Sequence, residues 1–284
     1  MAEFWPNGFG ASTGSPLATA TNLHAYFNTG KLVYCSSARG ADDVWPRGYN
    51  YEYPVATLAQ ACANCDGGVV VLCDDHDETV ATAVTPDAKT VIVGMGSSNG
   101  IPSAKLRLDG SANVPIFDIN NSEVLISNVY FPELEEVSSG AGRIVVDAAD
   151  FKMDGCYFKM GDYEATTPCI ELCASAGVAG FDLKNTTFLS TATAKTSTPS
   201  PAVVCDSVSL TQVSWDGVTL DGGSFGFGSG NVSIPVGAYL SSNGSWTFRC
   251  LNLSLLRGAD LHVSGALGFA QVATHTGSSK VTWL

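Results

Sequence analysis

Positive charge is scarce in this chain: 14 Lys and Arg stand against 27 Asp and Glu in 284 residues, a formal net charge of −13. An acidic surface repels a phosphate backbone, so no nucleic-acid partner is expected. Charge of either sign is thin, at 14% of residues. Long apolar runs are missing too. No stretch approaches the roughly 18 uninterrupted apolar residues of a membrane-spanning helix, so no membrane span is expected. Residues 1–30 have neither the basic start nor the apolar core of a secretory signal.

Hydrophobic residues make up 45% of the chain, and 30 glycines join abundant Ser and Thr. That balance suits one large all-β domain with many turns. The nine cysteines are Cys35, Cys62, Cys65, Cys73, Cys156, Cys169, Cys173, Cys205 and Cys250. Without an export signal they are expected to be reduced. Several lie inside apolar runs, such as Val71-Leu72-Cys73, where a thiol packs as a small hydrophobe. Cys62 and Cys65 form a CxxC, but no second pair or nearby His pair completes a zinc site. No metal and no cofactor is expected.

An internal repeat organises the rest. Five octets align without gaps: Val124–Phe131, Phe151–Phe158, Phe181–Phe188, Val213–Leu220 and Trp246–Leu253, starting 27, 30, 32 and 33 residues apart. Apolar residues recur at positions 1, 3, 6 and 8. A straight strand has period two, so one residue must shift the phase between positions 3 and 6. Position 5 is Asn128, Gly155, Asn185, Gly217 and then Cys250. Asn and Gly adopt a left-handed backbone most readily, so each octet reads as strand, one-residue bend, strand.

A second strand precedes each octet, at 116–119, 144–147, 170–173, 202–205 and, less clearly, 236–239. Val91–Met95 reads as an earlier member of the octet series. These spacings predict a single-stranded right-handed parallel β-helix of about six to seven rungs with an N-terminal capping helix. A β-sandwich also repeats short strands, but it would not put a bend residue at one fixed place in every repeat.

The cap is expected just before the first rungs, where Val55, Leu58, Ala59 and Cys62 fall at helical spacing and Asp66-Gly67-Gly68 follows. The chain then divides into an arm (1–32), a capping segment with a short helix (33–66), the β-helix (67–257) and a C-terminal cap or docking edge (258–284). The stretches 191–201 and 222–230 read as loops leaving the coil.

Three segments carry a more specific likeness: Tyr53–Ala61 (YPVATLAQA), Asp66–Leu72 (DGGVVVL) and His76–Thr79 (HDET). They resemble the capping helix and first rung of pectin-lyase-like β-helices, and phage virion proteins of that superfold most of all. The likeness covers roughly residues 33–255. It bears on fold more than on activity, because such superfolds host many activities.

Enzymes of this kind place carboxylates on outward positions of adjacent rungs, where stacking brings them within glycosidase range. Octet position 4 reads Ser127, Asp154, Lys184, Asp216 and Arg249, so Asp154 and Asp216 are the weak catalytic candidates. The alternating signs predict a neutralised ladder that pins register, and no catalytic constellation is expected. Position 7 gives Tyr130, Tyr157, Thr187 and Thr219, a ladder suited to a glycan or a flat protein interface. Asp118, Asp147, Glu171 and Asp206 read as out of register with one another. Asp74, Asp75, His76, Asp77 and Glu78 form an acidic group expected to be a solvated turn and not a cation site. In the arm, Phe4, Trp5 and Phe9 are candidate partner-binding residues.

Together these features lead to the expectation of a virion protein made in the host cytoplasm: a homotrimeric capsid decoration or cement protein contacting others such as the major capsid protein. The alternative is a tail spike or fibre that binds or depolymerises a host surface glycan.

Overall fold

The computed structural model describes residues 31–42, 47–109, 114–132, 143–160, 168–172 and 178–190, and beyond these the strands at 201–205, 210–211, 214–216, 218–221, 224–227, 231–234, 239–242, 252–255 and 260–263. Among the described residues the protein is all-β with a single helix, and its strands pair in parallel almost throughout. The helix is too short to cross a membrane.

Three parallel sheets dominate. The first runs through Leu32–Cys35, Val69–Leu72, Val91–Gly94, Leu125–Ser127, Lys152–Asp154, Asp182–Lys184 and Ser214–Asp216. The second runs through Asp77–Val80, Lys105–Leu108, Tyr130–Phe131, Tyr157–Met160, Thr187–Ser190, Val218–Asp221, Tyr239–Ser242 and Asp260–Val263. The third holds Phe117–Ile119, Ile144–Val146, Ile170–Leu172, Pro201–Cys205 and Ser224–Phe227. From Leu125 to Phe227 the chain visits first, second and third sheet in turn, and each circuit hydrogen-bonds to the one before. This order is compatible with a parallel β-helix.

The octet accounts for the packing. Positions 1, 3, 6 and 8 are Val124, Ile126, Val129 and Phe131 in one circuit and Phe151, Met153, Cys156 and Phe158 in the next, all buried. The third octet buries Phe181, Leu183, Thr186 and Phe188 in the same places. Like residues stack: the rings of Phe131 and Phe158 lie 4.4 Å apart, and those of Phe158 and Phe188 4.9 Å apart. Position 5 makes the bend, with φ of 52° at Asn128, 65° at Gly155 and 47° at Asn185.

A second fixed bend was not visible in the pattern. The residue just before each of the first three octets also has positive φ, Glu123 at 63°, Asp150 at 58° and Gly180 at 75°, and so do Lys89 at 67° and Gly67 at 70° in the same place on the two preceding strands. These residues turn the chain into the first sheet. At Gly180 a Cβ would meet the Asp150 carboxyl, which would have to turn aside to admit it.

The helix, Leu58–Cys65 (α1), is capped by Thr57, whose side chain accepts the Gln60 amide at 3.2 Å, and it ends at Asp66 in a left-handed conformation. It buries Leu58, Ala61, Cys62 and Cys65 into the core that Val33, Val70 and Leu72 share. Ala59, expected on that face, is exposed, and Ala61 takes its place. The helix thus covers the inward side at the first sheet's edge strand. That strand's outer edge is engaged by Tyr34 N–H to Gly48 O (2.6 Å) and Ser36 N–H to Val55 O (2.9 Å).

The later circuits depart from expectation. The strand at Ser224–Phe227, expected to be loop, pairs with Pro201–Cys205 as the last strand of the third sheet. Its Phe-Gly-Phe alternation suits a strand, but the flanking glycines disguise it. Tyr239–Ser242, and not the fifth octet, follows Val218–Asp221 in the second sheet. The end of that octet, in Asn252–Leu255, pairs instead with Asn231–Ile234. Leu261-His262-Val263 does supply a further strand, beside Tyr239–Ser242. Val91–Gly94 aligns with Leu125–Ser127 as expected. Between Gly94 and Ala104, however, an excursion carrying a short antiparallel hairpin, Ser97–Ser98 with Ile101–Pro102, replaces the one-residue bend.

Candidate functional site

Two outward rows carry most of the polar side chains singled out above. Position 4 lies on the first sheet, where register aligns Ser127, Asp154, Lys184 and Asp216. Asp154 and Asp216 therefore sit two strands apart with Lys184 between them. Asp154 accepts the Asn185 side-chain amide at 3.0 Å. Lys184 pairs at 3.3 Å with Asp182 of its own strand. Lys184 thus finds its partner within its own strand and Asp154 an amide of the next circuit, in place of the expected Asp154–Lys184 pair. Ser127, at the head of the row, is buried although it points away from the core. The side chain of Asp216, like Arg249, lies outside the described residues. Among the described side chains of this row, Asp154 has no second carboxylate beside it of the kind that glycoside cleavage uses.

Position 7 lies on the second sheet, and register aligns Tyr130, Tyr157, Thr187 and Thr219 as expected. The Tyr130 and Tyr157 rings meet edge-to-face at 5.5 Å, and both are half-buried, as is Thr187. One strand earlier the row continues through Lys105, which pairs with Asp77 at 3.3 Å. The result is a strip of half-buried aromatic and hydroxyl side chains from Tyr130 to Thr187.

On the third sheet, Asp118 and Glu171 both register with Val145. They share one outward row, contrary to the reading that these acids fall out of step, and Val145 separates them. Asp118 accepts the Asn120 amide at 2.9 Å.

The acidic turn after Cys73 is divided among separate partners. Asp75 takes Arg39 at 2.9 Å and the Ser36 hydroxyl at 2.8 Å. Asp77 takes Arg107 at 2.6 Å, and the Arg107 guanidinium holds its carboxyl below the usual range. His76 turns inward and is buried. Its Nδ1 accepts the Ser37 amide at 3.1 Å and lies 3.7 Å from Cys35 Sγ. Its Nε2 lies 3.1 Å from Glu78 Oε2 without a directed hydrogen bond, and that oxygen accepts the Leu58 amide at 2.8 Å.

Sequence reasoning missed the Cys35–His76–Glu78 cluster, because its members are up to 43 residues apart and His76 hides among exposed acids. The order thiol, imidazole, carboxylate is that of an activated nucleophile. Yet Cys35 is fully buried, and burial, followed by the Glu78 carboxylate, pushes its thiol far up. A proton-holding thiol that no substrate reaches is not a nucleophile. The three ligand atoms lie within 4.8 Å of one another, close enough to share an ion. The Ser37 amide occupies Nδ1, which leaves Nε2, beside Glu78, as the ring nitrogen without a hydrogen-bond partner. The cluster acts as a strut joining the edge strand, the following turn, the second sheet and the helix N-terminus.

Cys35, Cys62, Cys65, Cys73, Cys156 and Cys169 are free, buried thiols. Cys62 and Cys65 face the core from α1, and Cys65 Sγ donates to the Cys62 carbonyl at 3.2 Å. Phe4, Trp5 and Phe9 lie outside the described residues. No family model, no curated protein and no solved structure matches the chain.

Proposed function

We propose that the chain is a right-handed parallel β-helix of about six to seven rungs, and that it serves as a structural protein of a bacteriophage particle, a homotrimeric capsid decoration or cement protein in contact with the major capsid protein. One observation carries the structural role. Among the described residues Asp154 is tied to Asn185, Lys184 to Asp182 and Asp77 to Arg107, while the inward positions of the first three octets are all buried. This is the chemistry of a rigid scaffold and not of a catalytic surface.

The phage setting rests on the likeness in residues 53–79, where the YPVATLAQA segment runs into α1 and DGGVVVL into the second strand of the first sheet. Trimers fit because long outward faces can pack about a threefold axis. The test is to purify phage heads lacking the protein. They should open at a lower temperature than complete heads, and added protein should restore them. Heads that are equally stable without it, and that do not take it up, would overturn the reading.

The Tyr130–Tyr157 strip favours a second reading, a spike or fibre that engages a host surface glycan through its tyrosine rings. Binding of capsular or lipopolysaccharide fragments that is lost in Tyr157→Ala would support it. Release of oligosaccharide, lost in Asp154→Ala, would make it an enzyme.

A further inference from the structure

The outer face of the first sheet changes character abruptly. Its inward residues, such as Val70, Leu72, Ile92 and Ile126, belong to the main core. The residues that alternate with them point the other way, and on the first three strands they are Leu32, Tyr34, Val69, Val71, Val91 and Val93. Leu125 continues the patch on the fourth strand. Together with Met95 they form an apolar cluster separate from the core, and Val69, Val71, Val91 and Val93 are 0–2% exposed. From the fifth strand on, the same positions carry Lys152 and Asp154, then Asp182 and Lys184, then Ser214 and Asp216.

Parallel sheets are stable with both faces covered, and a patch of four strands is larger than soluble proteins usually leave to water. The charged half needs no cover. The apolar half does, and its outward valines are as dry as the core.

The segment best matched to it is the one joined to it. Residues 1–30 lead directly into Lys31 and Leu32, the first residue of the patch. They hold one carboxylate, Glu3, and no Lys or Arg, against 41 charged residues in the whole chain. Their apolar members include Phe4, Trp5, Phe9, Leu17, Leu23 and Phe27. Four parallel strands span about 15 Å, which some five extended residues can cross, so reach is no obstacle.

We propose that residues 1–30 lie across the apolar outer face of the first sheet in the same chain, with aromatic side chains on the outward valines. This places Phe4, Trp5 and Phe9 against the chain's own sheet and takes them out of use as a free anchor for other proteins. The inference is independent of the virion reading. Tyr34 is the natural probe, since it lies at the rim, where Tyr51 meets it edge-to-face at 5.9 Å.

The experiment puts the photo-reactive benzoylphenylalanine at Tyr34, and separately at the more exposed Tyr51, in the full chain. Natural and 15N-labelled chains are mixed before irradiation. The expected result is cross-linked peptides that join either position to residues 1–30 of the same isotopic chain, and none to them from a control probe at Lys152. Cross-links to residues of the other isotopic form would assign the face to a second copy and overturn the proposal. So would folded protein in which neither position captures residues 1–30.

Discussion

Each circuit from Val124 to Phe188 turns on two residues in the left-handed region, one before the octet and one at its fifth position. The two sites use different chemistry. At Asn128 the side-chain amide donates to the carbonyls of Gly94 (2.8 Å) and Gly96 (3.0 Å), so the bend is also a tie to the previous strand. Before the octet stand Lys89 and Glu123, whose bulk makes a positive φ costly by about 1 kcal/mol or more. Glu123→Gly should therefore be neutral or stabilising by up to about 1 kcal/mol in denaturant unfolding, because relief of strain offsets the entropy that glycine adds. Gly180→Ala should cost more than about 2 kcal/mol, since it adds displacement of the Asp150 carboxyl to the backbone strain. Equal effects at the two positions would contradict this account of the corner.

The buried thiols give the residue scale its pH dependence. Burial pushes Cys156 from the usual value near 9 up to about 12. The folded state keeps this proton where the unfolded chain releases it. The stabilisation is whole below pH 9 and declines, by about 1.4 kcal/mol per pH unit, until pH 12. Position 6 is Val129 one circuit earlier, so Cys156→Val should fit. Unfolding curves at pH 7 and pH 10 should show the variant losing about 1.4 kcal/mol less than the parent over that interval. An identical loss in both proteins would mean that the thiol is not held protonated.

At the scale of elements, the aromatic stack at position 8 is the backbone of the core. Phe158 lies between Phe131 and Phe188, with no exposed surface. Phe158→Ala should cost about 3–5 kcal/mol, a large share of a domain's usual 5–15. Phe158→Leu, the residue that ends the fourth octet, should cost about 1.5 kcal/mol or less. Thermal unfolding of both variants checks this, and a mild Phe158→Ala would mean that the stack is not continuous.

These elements also show what a sequence can and cannot display. The octets were legible because Phe, Val and Ile fall at fixed places and Asn or Gly breaks the alternation between them. The corner at Lys89 and Glu123 was not, since neither side chain signals a left-handed backbone. The strand Ser224–Phe227 was hidden by its glycines, and the fifth octet matched a pattern whose partner strand lies elsewhere. The Cys35–His76–Glu78 strut depends on three segments meeting in space, which no local pattern records.

At the scale of the whole molecule, the described inward groups stack from circuit to circuit, and the apolar half-face of the first sheet is as dry as the core. The claim that the protein is a fixed part of a phage head is tested most directly by counting it there. Quantitative mass spectrometry of purified particles, with labelled peptides of this chain and of the major capsid protein, should give one constant ratio across preparations, unchanged by high-salt washing. Absence from particles, or a ratio that varies with preparation and falls on washing, would contradict the account.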